Sequence, residues 1–201
     1  PLEVEDYRTV LDLTHAFVEA GHQAGYPKSQ DLNGSMPEGV GYSQMTRRGR
    51  LRGSTARTFL SRAKKRKNVK IETEAIVTGL IFENEKCIGV KFNKDGLEKT
   101  VFAGKEIILS GGAVNSPHIL QISGIGSEEH LSSIGVKIIH HLPGVGKNLQ
   151  DHYVSRISHR VKGTDSINQL SRGFKLLREI GSWALQGKGA LTFGITSAMV
   201  F

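Results

Sequence analysis

Cysteine, proline and tryptophan are scarce in this chain, and long apolar runs are missing. The single cysteine, Cys87, excludes an internal disulfide framework and a cysteine-rich zinc site. No window approaches the ~20 consecutive apolar residues of a membrane-spanning helix. The first residues, 1–6, do not form a signal peptide and include no initiator Met, and the last four, 198–201, are apolar. We therefore expect an interior piece of a longer protein.

The composition indicates a folded chain whose charge is uneven. Hydrophobic residues make up 38% of the 201 residues and charged residues 23%, which is enough apolar content for a core and excludes wholesale disorder. The formal net charge is +8. The excess is local, because residues 47–70 contain eleven Lys and Arg but no Asp or Glu.

The densest basic run, Arg62 to Lys67, allows two interpretations. Such a run is typical of a nuclear import signal or a nucleic-acid-binding patch. It is also typical of a solvated helix end, where cations interact favourably with the helix dipole. No aromatic residue interleaves with the run to stack on bases, so the helix-end interpretation is favoured and no nucleic-acid partner is expected.

Hydrophobic periodicity predicts a mixed order of helices and strands. The turn Asp31–Gly34 precedes a Gly-rich segment, 35–53, that we expect to be irregular, and Ser54 is suited to cap the helix after it. A crossover between domains is expected near residue 152. The predicted helices are 7–24, 55–65, 116–122, 128–134 and 167–184, and the predicted strands are 69–73, 75–82, 87–92, 99–103, 106–110, 137–140 and 153–161.

A glycine turn follows the predicted strand 106–110, which contains Ile-Ile-Leu and is expected to be fully buried. Ser110-Gly111-Gly112 is followed by Ser116, suited to a helix N-cap, and Pro117, suited to the first helical position. A strand, a glycine turn and a helix N-terminus together can form an anion cradle, because free N–H groups point at the ligand. A plain tight turn accounts for the same residues.

The longer string Gly112-Ala-Val-Asn-Ser-Pro-His-Ile-Leu-Gln-Ile-Ser-Gly-Ile-Gly126 resembles the second signature of the glucose–methanol–choline (GMC) oxidoreductases. Other strings similar to the family flank it in the expected order: Asp31-Leu-Asn-Gly34, Arg52-Gly-Ser-Thr-Ala56 and Leu142-Pro-Gly-Val-Gly-Lys-Asn-Leu-Gln-Asp-His152. The residues Ala-Val-Asn-Ser-Pro and Leu-Pro-Gly-Val-Gly in these strings look most like the insect-type glucose dehydrogenase branch. The resemblance extends over essentially the whole chain.

This resemblance implies an α/β fold of mixed α+β character with FAD as cofactor. Residues 1–152 would be part of a Rossmann-like FAD-binding domain, with a substrate-side insertion near 1–50. Residues 153–201 would begin a substrate domain built on an antiparallel sheet.

The family's pattern also implies which residues contact the cofactor. The backbone of Val77 would receive the adenine, although Val77 is equally compatible with a plain core position. Gly111 and Gly112 would lie near the ribose and pyrophosphate, and Ser116 would begin the adjacent helix.

Two parts of the family pattern are absent from these residues. The dinucleotide fingerprint Gly-x-Gly-x-x-Gly would lie upstream of residue 1, and the catalytic His with its His or Asn partner would lie downstream of Phe201. We therefore assign no catalytic residue within the chain. The pair Asp151-His152 is interpreted as a structural turn, and the spacing of the His residues indicates no metal site.

The resemblance predicts the central part of an oxidoreductase that acts on an alcohol or sugar and passes electrons to oxygen or another acceptor. A lyase on the same flavin scaffold and a non-catalytic truncated product or basic binding module are the alternatives. The insect-type resemblance also leads us to expect secretion.

Overall fold

The computed structural model describes residues 2–35, 37–194 and 196–201. Two compact units are present: the first combines 1–70 with 157–201, and the second comprises 71–156. The chain thus leaves the first unit after Lys70 and returns to it at Ile157, whereas the sequence places one crossover near residue 152. The division into FAD-binding and substrate-binding domains stays a prediction.

Short antiparallel strands build the first unit. Strands β1 (Val4–Asp6), β3 (Gln44–Arg48) and β4 (Leu51–Arg52) form one sheet in the order β1-β3-β4. Strand β2 (Val40–Tyr42) pairs with the final strand, Ala198–Val200, with Gly41 opposite Met199. The prediction of an irregular segment over 35–53 is wrong for 40–42, 44–48 and 51–52. Strands β2 and β3 pair with segments that are distant in the sequence, and their own pattern does not reveal those partners.

The helices of the first unit begin later, or break more often, than periodicity predicts. Helix α1 is Asp12–Gln23 rather than 7–24, since Tyr7 instead donates its hydroxyl to the Thr196 carbonyl, 2.7 Å away. Helix α2 covers only Phe59–Ala63, after turns over 55–58. Ser54 contributes its backbone carbonyl there, which accepts from the Thr58 N–H at 3.0 Å.

The second unit is built on the antiparallel sheet β5-β6-β7, formed by β5 (Ile76–Glu83), β6 (Lys86–Lys94) and β7 (Leu97–Phe102). The prediction of three successive strands is confirmed here. Asn84, Asp95 and Gly96 have positive φ angles of 54°, 57° and 76° at the two hairpin turns. Residue types that tolerate this conformation therefore determine where the chain reverses.

Helices α3 (Gly112–Ile122) and α4 (Glu128–Ser133) follow the sheet, and a short parallel pair, β8 (Ile125–Gly126) and β9 (His140–His141), lies beside them. The predicted helix 128–134 is confirmed within a residue, and Gly135 ends it with a φ of 72°.

Three predicted strands are wrong. Residues 69–73, 106–110 and 153–161 belong to no strand, because no described segment pairs with them. The segment 106–110 is also not buried: Ile108 is 78% exposed.

The last predicted helix, 167–184, is divided in two. Helix α5 is Ile167–Leu170 and helix α6 is Gly173–Gln186. Ser166 and Gln169 form a reciprocal capping box at the start of α5, and Gly173 has a φ of 56° at the junction. The final strand of the chain, Ala198–Val200, is β10.

The described residues bury few large apolar side chains and expose many. Leu131 and Val40 are completely buried, whereas Phe174 and Leu185 are 84% and 80% exposed. No helix in the described part of the chain is both long and apolar enough to cross a membrane.

The helices and sheets together form a mixed α/β fold with antiparallel sheets, as the sequence predicts.

Candidate cofactor-binding site

The glycine turn leads directly into the N-terminus of α3. Gly111 occupies the N-cap position with φ −77° and ψ 0°, and Gly112 is the first helical residue with φ +83°. No side chain caps this end of the helix. A Cβ placed on Gly112 would meet no protein atom within 4 Å. The space beside Gly112 is thus open and the first N–H groups of α3 have no side-chain cap, as an anion cradle requires.

The predicted positions of Ser116 and Pro117 are wrong. The helix begins at Gly112 instead of Ser116, with Gly111 at the N-cap position. Ser116 is half-buried and lies on the second turn, so it does not cap the helix. Pro117 is inside the helix and has no N–H to donate to the Ala113 carbonyl four residues earlier.

The opposite end of α3 is tied to its surroundings. Ser123 Oγ accepts from the Leu80 N–H of β5 at 2.8 Å and donates to the Ile119 carbonyl at 2.6 Å. The Gly124 carbonyl accepts from the Ile139 N–H at 2.8 Å. The C-terminal half of the signature string therefore anchors the helix, which leaves the N-terminal half open.

Gln121 links the signature to the turn before residue 148. Its Nε2 donates to the Val145 carbonyl at 3.3 Å. Gly146, at φ +78°, lies so close that an added Cβ would be 2.7 Å from Gln121 Nε2. No pattern in the sequence predicts this contact, although both strings resemble the same family.

Val77 lies in β5, opposite Phe92, and is half-buried. The pairing of β5 with β6 is irregular between Val77 and Gly79, so an extra residue is inserted beside Val77. Its sheet packs on α3 through Leu80 and Ser123. The second unit thus contains Val77, Gly111, Gly112 and Ser116, whose contacts with a cofactor stay a prediction.

Asp151 and His152 interact only locally in the contacts that the structure describes. Asp151 Oδ1 accepts from the backbone N–H of His152 at 2.7 Å, and both residues are exposed. Among the described residues, no group of three His, Cys, Asp or Glu side chains is placed to hold a metal ion.

Most of the basic stretch is exposed. Lys64 to Lys67 directly follow α2 and face solvent, as the solvated helix-end interpretation expects. Arg47 is the exception, because only 2% of it is exposed.

Comparison with known proteins identifies the family. The family model described as GMC oxidoreductase matches residues 1–154, so the chain belongs to the GMC oxidoreductase family. An oxygen-dependent choline dehydrogenase from Staphylococcus saprophyticus is 46% identical over 183 residues, which cover 89% of this chain and 32% of that protein. The chain therefore spans about a third of the length of this relative.

Solved structures share the fold. Pyridoxine 4-oxidase from Mesorbium loti is 33% identical with a TM-score of 0.71, and the match covers 76% of this chain and 30% of that one. An FAD-dependent oxidoreductase from Chaetomium thermophilum has a TM-score of 0.83 over 98% of this chain and 36% of its own. At 24% identity, the second likeness concerns the fold alone.

Proposed function

We propose that the protein containing this chain is an FAD-dependent oxidoreductase that acts on a CH–OH group, and that the second unit binds the adenine, ribose and pyrophosphate portion of FAD. The observation that carries the proposal is the open, uncapped N-terminus of α3 behind a positive-φ glycine, inside the family signature. Backbone N–H groups at such a helix end favour a bound phosphate.

The residues present fit this role. The Gly111–Gly112 turn lets the backbone approach a pyrophosphate closely, and the anchors at Ser123 and Gly124 hold the helix in position. The irregular pairing beside Val77 leaves backbone groups of β5 available to an adenine. Ser116, on the second turn of α3, would pack beneath the cradle. Bound FAD would supply the hydride acceptor.

We propose an alcohol related to choline as the substrate, ahead of a sugar. A relative at 46% identity is named for choline, and a solved neighbour at 33% identity is named for pyridoxine. These names do not support the glucose dehydrogenase branch suggested by the sequence strings. Oxygen or another external acceptor would receive the electrons. Secretion stays a prediction of the sequence resemblance alone.

The cradle is tested with Gly112→Ala in the complete gene product. The added methyl meets no protein atom, so it occupies space that the proposal assigns to the cofactor. Gly135→Ala is the matched control, because Gly135 also has a positive φ (72°) and open space but follows α4 instead of beginning α3. We expect Gly112→Ala to lose most of the visible flavin absorbance per protein and Gly135→Ala to keep it. Equal flavin content in the two variants would contradict the assignment.

The reaction is tested by anaerobic addition of choline or glucose to the purified wild-type protein. Bleaching of the flavin absorbance by choline supports the proposal, and bleaching by glucose alone would move the substrate to the sugar class. A bound flavin that no alcohol reduces would favour the lyase alternative. A protein without flavin that binds nucleic acid in a salt-sensitive manner would favour the basic binding module.

A further inference from the structure

A buried guanidinium without a counter-charge lies in the first unit. Arg47, on β3, is 2% exposed. Its Nε donates to the Gly49 carbonyl and its Nη2 to the Gly187 carbonyl, each at 2.6 Å. Its Nη1 is buried and has no hydrogen-bond partner among the described residues. These neutral carbonyls accept hydrogen bonds from part of the guanidinium but do not balance its positive charge. A charge without a counter-charge is costly to bury.

The surrounding charges do not supply the missing anion. Burial holds the pKa of Arg47 below its usual value, and the positive charge of Arg8 lowers it further. Glu5 acts in the opposite direction, but its carboxylate pairs with Arg8 at 2.9 Å. No described carboxylate forms an ion pair with Arg47.

Arg47 lines a cavity of about 800 Å³ between β3, β4 and the segment around Thr192. Arg50 and Arg52 line the same cavity, so its electrostatic character is positive. Ser43 lines it as well, and its buried Oγ is a second polar atom without a described partner. Ser43 lies between β2 and β3, four residues before Arg47, so at most about 13 Å of extended backbone separates them.

We propose that this cavity binds a carboxylate or another oxyanion through the Arg47 guanidinium. The planar fork matches the two oxygens of a carboxylate, and Nη1 carries the free donors. Two sources share this chemistry: a free organic acid or phosphate, and a carboxylate side chain from the part of the protein outside these residues. The site is separate from the α3 cradle in sequence, and its test needs no flavin signal.

The first arm of the test measures thermal unfolding of the complete gene product in acetate or phosphate against chloride at equal ionic strength. A free oxyanion stabilises the native state by mass action, so the midpoint of the wild type rises by about 2 °C or more at saturating anion. Arg47→Met abolishes that rise. Arg48→Met keeps it, because Arg48 is an exposed neighbour whose Nη1 donates to the Arg57 carbonyl at 2.9 Å.

The second arm detects a carboxylate of the protein itself. In that case the wild type does not respond to acetate, and Arg47→Met leaves a buried carboxylate without its partner. The pKa of that group rises, so the variant is less destabilised relative to wild type at pH 5 than at pH 8. Arg48→Met reports the background from the other charged groups around Arg47, which include Glu3, Glu5, Arg8, Arg50 and Arg52.

One result overturns the proposal. The guanidinium binds no anion if two results are found together. The thermal unfolding midpoint of the wild type does not change with oxyanions, and Arg47→Met loses the same stability at pH 5 as at pH 8. Arg47→Lys covers the case in which Arg47→Met does not fold, because it keeps the charge and loses the planar fork. The wild-type anion titration needs no variant at all.

Discussion

Gly124 occupies the most constrained glycine position of the second unit. Its φ is +87°, and an added Cβ would lie 2.3 Å from the Lys137 carbonyl oxygen and 2.8 Å from Ile139 Cγ1. The Lys137 carbonyl cannot move away easily, because the backbone around it is held in place. The Ile139 N–H donates to the Gly124 carbonyl at 2.8 Å, and β8 pairs with β9 at Ile125 and His140. Gly124→Ala therefore has two costs in stability: the positive φ and the steric clash.

The two costs are separated by comparison with Gly135→Ala. Gly135 has a similar φ of +72° but no atom within 4 Å of its Cβ position. Positive φ costs alanine about 1–2 kcal/mol at either site. The clash at Gly124 adds about 1–3 kcal/mol, as overpacking does elsewhere. Replacing glycine by alanine also lowers the conformational entropy of the unfolded chain, which stabilises both variants equally and cancels from the comparison.

Urea denaturation of the complete gene product measures the difference through the unfolding midpoint and its slope. We expect Gly135→Ala to lower the free energy of unfolding by about 1–2 kcal/mol and Gly124→Ala by about 2–5 kcal/mol. Equal losses would refute the claim that the Lys137 carbonyl excludes a side chain at Gly124.

Three further predictions concern other positions. Leu131→Ala removes a completely buried side chain and should cost about 2–5 kcal/mol by the same assay, whereas Ile134→Ala, at a side chain that is 54% exposed, should cost less than half as much. Glu74→Gly should stabilise the protein by about 0.5–1 kcal/mol because Glu74 has a φ of 56°, and Asn84→Gly should change little because asparagine tolerates its φ of 54°; a gain at Asn84 alone would contradict this. Hydrogen bonding to Lys28, 2.6 Å away, holds the pKa of Glu19 below its usual 4.5, so this pair supports folding above that pH and loses its contribution as the pH falls through the folded-state pKa. Carboxyl NMR of Lys28→Gln should show the pKa of Glu19 returning toward 4.5, and an unchanged titration would disprove the assignment.

Local residue chemistry made part of this fold predictable. The alternation of apolar residues and the turn formers Asn84 and Asp95-Gly96 are sufficient to identify β5, β6 and β7. Asp31 similarly forms the predicted turn, since its Oδ1 accepts from the Asn33 N–H at 2.9 Å. These features depend on neighbours a few residues apart, so the sequence contains them.

The candidate cofactor site was predictable as a motif but not as a geometry. The signature string indicates a glycine turn and a helix, and both are present in the structure. The helix start at Gly112, however, depends on the conformation of two consecutive glycines, and Pro117 gives a misleading signal of a later start. The anchors at Ser123 and Gln121 join segments more than twenty residues apart, which no local pattern specifies.

The amino-acid sequence by itself determined the family, the hairpins of the β5–β7 sheet and the location of the glycine turn. Only the tertiary structure decided that 106–110 and 153–161 pair with no described strand, that most of 40–52 forms strands, and that Arg47 is buried while most of the basic stretch is exposed. The physical reason is the same in each case. Turn and helix preferences act between neighbouring residues, whereas strand pairing and the burial of a charge depend on groups that are distant in the chain.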